Sequence, residues 1–270
     1  MKYLESAIRF SIKNWMLILP LFILTALASL LSGVGKSVMD FGNLWSTIGS
    51  MDNIGDPGKM LSAFPGLFTA VALSSGIWAF LFQFVTLPAT YGLVNKSLET
   101  GNANLNDIGA VISTNFVKYV MYFIGMLIVG LVVGIGSFIL MLILGLLVAL
   151  LKGVGVALMV IVMIALFVAL VVFGILISMW LSAMIVDGLD VVAAGKKSIE
   201  IVRSCFWTVL GITVLVNIAA IIAGAILSFL SRIPLLGPII YSVVPTAQTF
   251  IMIVFLLTLY REKTGKINTL

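Results

Sequence analysis

Residues 187–207 read DGLDVVAAGKKSIEIVRSCFW and carry six charged side chains between two long apolar runs. On a helical wheel, Val191, Ala194, Ile199, Ile201, Val202, Cys205 and Phe206 fall to one side of residues 190–206, and Lys196, Lys197, Glu200, Arg203 and Ser204 to the other. Asp190, or Asp187 just upstream, suits the amino end as a cap. Glu200 has Lys196 and Arg203 one turn to either side. The pattern predicts an amphipathic helix lying in a membrane plane, its basic face toward anionic headgroups.

The surrounding composition makes that bilayer necessary. Of 270 residues, 62% are apolar and 9% are charged, against about 25% charged in a soluble domain. A helix crosses a hydrocarbon core about 30 Å thick with roughly 20 apolar residues. Six segments qualify, at about 15–34, 66–94, 119–151, 156–185, 207–230 and 239–260. Only Lys152-Gly153-Val154-Gly155 divides the third from the fourth, and it predicts a tight hairpin turn. Ala26-Leu27-Ala28 has the form of a cleavage site, but Leu30 and Leu31 carry the apolar run past it, so the first span is expected to be retained.

Counting Lys and Arg orients the chain. The amino terminus, second loop, fourth loop and carboxyl terminus hold eleven of the fifteen; Lys36, Lys59, Lys152 and Arg232 fall on the other side. Both termini are therefore expected in the cytoplasm of a multi-pass cell-membrane protein.

The amphipathic device occurs twice more. Residues 2–14 place Leu4, Ile8 and Ile12 on one stripe and Glu5, Arg9 and Lys13 on another. Residues 104–118 place Leu105, Ile108, Ile112 and Phe116 together, after a cap from Asn104, Asn106 or Asp107. Each segment then runs through a small polar residue and an aromatic into an apolar stretch: SIKNWMLILPL, STNFVKYVMYF and IVRSCFWTVLGI. The reading is all-α, one membrane domain over 1–270 made of three diverged units at about 1–100, 101–188 and 189–270, each an in-plane helix followed by a transmembrane hairpin.

VTLPATYGLVNKSLETGNANLNDI (85–108) and IVDGLDVVAAGKKSIEIVRSCFW (185–207) resemble the second- and fourth-loop signatures of bacterial membrane families of unknown function. These include the membrane domain that precedes some glycerophosphodiester phosphodiesterases, and the YciC-type inner-membrane proteins. The resemblance implies a six-helix membrane domain linked to envelope or lipid metabolism, and it carries over no catalytic residue. DVVAAGKKS also resembles the coupling loop of binding-protein-dependent importers, with two departures: Gly195 follows the alanines directly, and the distal Ile-Leu-Pro part is missing.

The chemistry on offer is sparse. The chain has no His and one Cys, so proton-relay and multi-cysteine metal sites have no material. No ionisable side chain falls deep in a predicted span, which weighs against ion-coupled transport. Gln83, Asn217 and Gln248 fall near mid-span and form the candidate binding cluster, with Thr246 and Thr249 beside them. Arg9, Lys13, Lys196, Lys197 and Arg203 are the candidate headgroup contacts. Pro20, Pro88 and Pro245 are expected to kink their spans. Gly130 with Gly134, and Ala220 with Gly224, would allow close helix approach within the fold or between chains. In the first outer loop, Val38, Phe41, Trp45 and Ile48 follow helical spacing, and DNIGDPG (52–58) lacks the ligand pattern of a calcium loop.

No catalytic residue, metal or cofactor is expected, and no nucleic-acid partner. The expected partner is a bilayer with anionic headgroups. The function expected is non-enzymatic, in envelope or lipid homeostasis or protective immunity. The alternative is a transporter or permease subunit with a polar site at mid-membrane.

Overall fold

The computed structural model describes residues 2–31, 77–230, 233 and 236–266, nearly all of them helical, with short turns, bends and irregular links between helices. The helices are α1 (Lys2–Lys13), α2 (Leu19–Leu31), α3 (Ile77–Thr100), α4 (Ile108–Leu151), α5 (Gly153–Leu176), α6 (Trp180–Val186), α7 (Val191–Leu227) and α8 (Leu236–Lys263). The outer loop at 36–64, with Lys36 and Lys59, lies outside the described residues, as do Arg232 and residues 66–76 of the second predicted span.

Four stretches among the described residues are long and apolar enough to cross a membrane: Leu105–Leu151, Gly153–Val186, Val191–Leu227 and Leu236–Lys263. A fifth is added if Lys2–Lys13 and Trp15–Leu31, bent by 89° from one another, count as one broken span. Pro20 does not produce that bend. It sits in the first turn of α2, where the amide it lacks has no intrahelical partner, and the chain turns earlier, around Asn14.

The contacts define two compact units. In the first (the described parts of 1–34, 77–125 and 174–270), the carboxyl half of α8 is the axis. Phe250, Val254, Phe255, Leu257, Leu259 and Tyr260 are fully buried, and α1, α2, α3, α6 and α7 pack around α8. Trp180 is a second hub. Its indole N–H donates to the Val191 carbonyl at 2.7 Å, its ring meets Tyr122 edge-on at 5.7 Å, and Gly125 and Gly195 leave room for it. Between α5 and α6 the helix breaks at 177–179, and Ser198 repairs the break. Its hydroxyl donates to the Leu176 carbonyl at 2.8 Å and accepts from the Met179 amide at 3.1 Å.

The second unit, among the described residues, is the hairpin of α4 and α5 over 126–173. The turn is tighter than the four residues expected. Lys152 alone takes a left-handed φ of 47°, and Gly153 already begins α5. Gly155 serves packing instead, since a Cβ there would strike the Leu147 and Val148 backbone. Most other large side chains of this hairpin face outward, among them Leu131, Val132, Ile161 and Phe167.

The amphipathic segments join their spans in three different ways. Residues 108–118 do not lie across the following span, because they are the first turns of the unbroken 44-residue α4, about 66 Å long at about 1.5 Å per residue. A continuous helix cannot make a right-angle turn. In α7 the helix is interrupted at Cys205, whose φ of −134° and ψ of 25° are non-helical. α1 stands nearly perpendicular to the helical stretch Trp15–Leu31 that follows it.

Candidate functional site

Four segments meet at one polar end of the first unit. Gly188, with φ 67°, turns the chain between α6 and α7, and Asp190 caps α7 by accepting the Ala193 amide at 2.7 Å. That turn holds Asp187, which accepts from the Tyr260 hydroxyl at 2.7 Å and pairs with Lys266 at 2.8 Å. Burial pushes the Asp187 carboxyl up, but hydrogen bonds from Lys266 and Tyr260 and the positive charges of Lys266 and Lys197 outweigh it, so the net direction is down. Arg261, itself buried, donates to the Asn95 side chain at 2.6 Å and lies 3.9 Å from Glu99. Tyr3 donates to Glu262 at 2.9 Å, so the two ends of the described chain are joined. Lys96 pairs with Asp107 at 2.8 Å, and the Asp107 carboxylate also accepts the Asn104 amide at 3.0 Å. The amino end, second loop, fourth loop and carboxyl end thus share one end of this unit. Asp187 with Lys266, Arg261 with Asn95, Glu262 with Tyr3, and Lys96 with Asp107 are each paired, so the cluster clasps the four segments together.

On α7, Ala194, Ser198, Ile201, Val202 and Cys205 are buried, close to the face expected from the wheel. Protein covers that face, in the form of α6 and α8, where the sequence pattern pointed to lipid. The Ala-Ala-Gly run is packed away as well, with Ala194 fully buried and Gly195 against Trp180, so it offers no free coupling surface. Glu200 pairs with Lys197 at 3.2 Å and not with Lys196 or Arg203, which stay exposed without an ion pair among the described residues. Trp207, four positions beyond Arg203, is 80% exposed.

In α1 the inward residues are Ala7 and Phe10, one position off the expected stripe. Ile8 and Ile12 face outward, Ile12 at 71% exposure. With Ser11, Trp15 and Ile18 they line an open apolar groove against Ala247, Phe250 and Ile251. Arg9 is held by Glu5 at 2.7 Å and Lys13 is exposed. In α4 the inward stripe is Val111, Asn115 and Tyr119, again one position off Ile112 and Phe116. The reason is visible at Gly92, whose missing side chain lets α3 close on Val111 and Asn115.

Of the mid-span amides, two come together. Gln248 donates to the Asn217 side-chain oxygen at 2.9 Å, and Asn217 donates to the Thr213 carbonyl at 2.7 Å. Gln83 is exposed and makes no hydrogen bond to either. Thr246 is buried beside the Pro245 position, and its hydroxyl has no partner among the described residues. No group of three metal-ligating side chains occurs among the described residues. No protein-family model, curated protein or solved structure matches the chain.

Proposed function

We propose that this chain is a six-span, non-enzymatic protein of the cell membrane, with both termini cytoplasmic, that acts within the lipid phase in envelope or lipid homeostasis. In this reading 1–100, 101–188 and 189–270 are three diverged copies of an amphipathic helix and a hairpin. The observation that carries it is the clasp. Tyr3–Glu262, Arg261–Asn95 and Lys266–Asp187 gather the four segments that hold most of the basic side chains. A common basic end is what the positive-inside rule leads one to expect of the cytoplasmic face. Arg203 and Lys196, free of ion pairs and aligned with the exposed Trp207, would then meet anionic headgroups, as would Lys13 beside Trp15. Arg9 and Lys197 would contribute less, each being half-neutralised by its own glutamate.

The test is the lipid retained by the purified protein, read by mass spectrometry. Replacing Lys13, Lys196 and Arg203 by Glu should lower the anionic phospholipid fraction severalfold, while replacing Lys152 should not change it. An unchanged lipid profile after the triple replacement rejects the headgroup reading. The transporter alternative draws on the Asn217–Gln248 bond, but it needs Gln83 on the same path.

A further inference from the structure

Two open hollows run along the outward side of α1. One lies between α1 and α8, with Ile8, Ile12 and Trp15 on one wall and Phe250 and Ile251 on the other. Apart from Ser11, the described residues that line it are apolar. The other hollow runs past Leu4, Glu5, Ile8, Arg9 and Ile12. Ile8 and Ile12 border both, so they form a ridge with an apolar groove on one side and a charged hollow on the other. Glu5 and Arg9 are 68% and 78% exposed, and Ile12 is 71% exposed. Lys13, one turn beyond Arg9, is exposed as well. Glu5 offsets Arg9, which leaves Lys13 as the net positive charge of this stripe.

An apolar groove by itself selects nothing in a bilayer, because an aliphatic side chain gains little by exchanging one hydrocarbon neighbour for another. The charge beside it does select. A cation at the edge of hydrocarbon is costly unless an anion meets it, and a phosphodiester brings that anion on a molecule that also carries acyl chains. Its oxygens accept hydrogen bonds, and the Arg9 and Lys13 side chains only donate them. A purely apolar partner helix would leave Lys13 unmatched, and a soluble anion would leave the groove unused. We infer that the outward side of α1 is a binding site for one phospholipid, with an acyl chain in the α1–α8 groove and the phosphate held by Arg9 and Lys13 across the Ile8–Ile12 ridge. The inference deepens the headgroup reading of Lys13 and rests on that reading in one respect, that α1 and α8 border lipid.

The experiment uses the full chain with benzoylphenylalanine in place of Ile12, irradiated in the membrane of the expressing cells. The adduct should have the added mass of one phospholipid. An adduct to another protein, to a second copy or to another part of the same chain overturns the proposal, since that occupant then fills the groove. Native mass spectrometry of the purified wild type, with phosphatidylglycerol or phosphatidylethanolamine added back in separate arms, should show one lipid retained and phosphatidylglycerol retained severalfold better. Ala247→Trp, which fills the groove, and Ile12→Asn, at an exposed position that leaves packing intact, should each lower retention about fivefold. Lys13→Gln should lower phosphatidylglycerol retention by a similar factor, and Lys13→Arg should restore it. Ile161→Asn, 63% exposed on α5, should change nothing. Equal loss at position 161 means ordinary boundary lipid and overturns the proposal, as does equal retention of the two lipids that Lys13→Gln leaves unaltered. Replacing only Lys196 and Arg203 by Glu separates this site from the wider headgroup reading. An unchanged lipid profile there, with the Ile12 adduct and the Lys13 dependence intact, counts against the wider reading and leaves this site standing. A changed profile with no lipid adduct at Ile12 sinks this site alone.

Discussion

Asp187 is a carboxylate that gains its stability from partners at the clasp, and that fixes its pH dependence. Its folded pKa is held below the ordinary carboxylate value by Lys266 and Tyr260 against the opposing effect of burial. The stabilisation is therefore complete above the unfolded pKa of about 4 and is lost as pH falls through the lower folded value. Thermal unfolding in detergent should show wild type losing its advantage over Asp187→Asn only on acidification below about pH 4, with the gap constant from pH 6 to 8. Ser198 presents a second residue-level dependence. Ser198→Ala removes the partner of both the Leu176 carbonyl and the Met179 amide and should cost about 1–3 kcal/mol. Ser198→Thr, which keeps the hydroxyl, should recover part of that. Denaturant titration of the two variants decides it. In the sequence Ser198 was only a small residue in a basic run, since the helix break it repairs lies twenty positions away in the chain.

At the scale of elements, the interruption of α7 has a local cause and no proline. The Ser204 hydroxyl donates to the Ile201 carbonyl at 2.7 Å and the Cys205 thiol points to the same oxygen at 3.3 Å. Two side chains competing for one carbonyl draw it from the backbone ladder, a recognised source of helix bending. Ser204→Ala with Cys205→Ala should straighten α7, lengthening the distance between spin labels at Lys196 and Ile222 by a few ångströms in a double electron–electron resonance measurement. An unchanged distance would place the cause in the packing of α6 and α8 instead. The helices themselves were legible in the sequence, as were the cap at Asp190 and the hairpin turn at Lys152. The inward faces of α1 and α4 were not. The largest apolar residues marked the wrong stripe, because Ala7 and Gly92 permit close protein contact while Ile8, Ile12 and Phe116 face outward.

For the whole molecule, the clasp requires the amino end and the carboxyl end to lie on the same side of any bilayer that the helices cross. Cysteines placed at Lys2 and Lys266 should react with a membrane-impermeant maleimide from one side only, and from the same side, in sealed oriented vesicles. Labelling from opposite sides would contradict the Tyr3–Glu262 bond directly. Eleven basic residues in four separate segments lead to the same expectation from the sequence alone, since charge placement reflects the bilayer and not the packing.

Composition and apolar run length determined by themselves that this protein is helical and suited to a membrane. Hydrocarbon leaves backbone amides no partner but their own helix, and no tertiary contact is needed for that conclusion. Which face of each helix meets protein was decided only by tertiary structure. In lipid an isoleucine gains almost nothing by turning inward, so hydrophobicity stops distinguishing inside from outside. The choice passes to the fit of small residues, to the repair of broken backbone by Ser198, and to the partners found by Asp187 and Arg261.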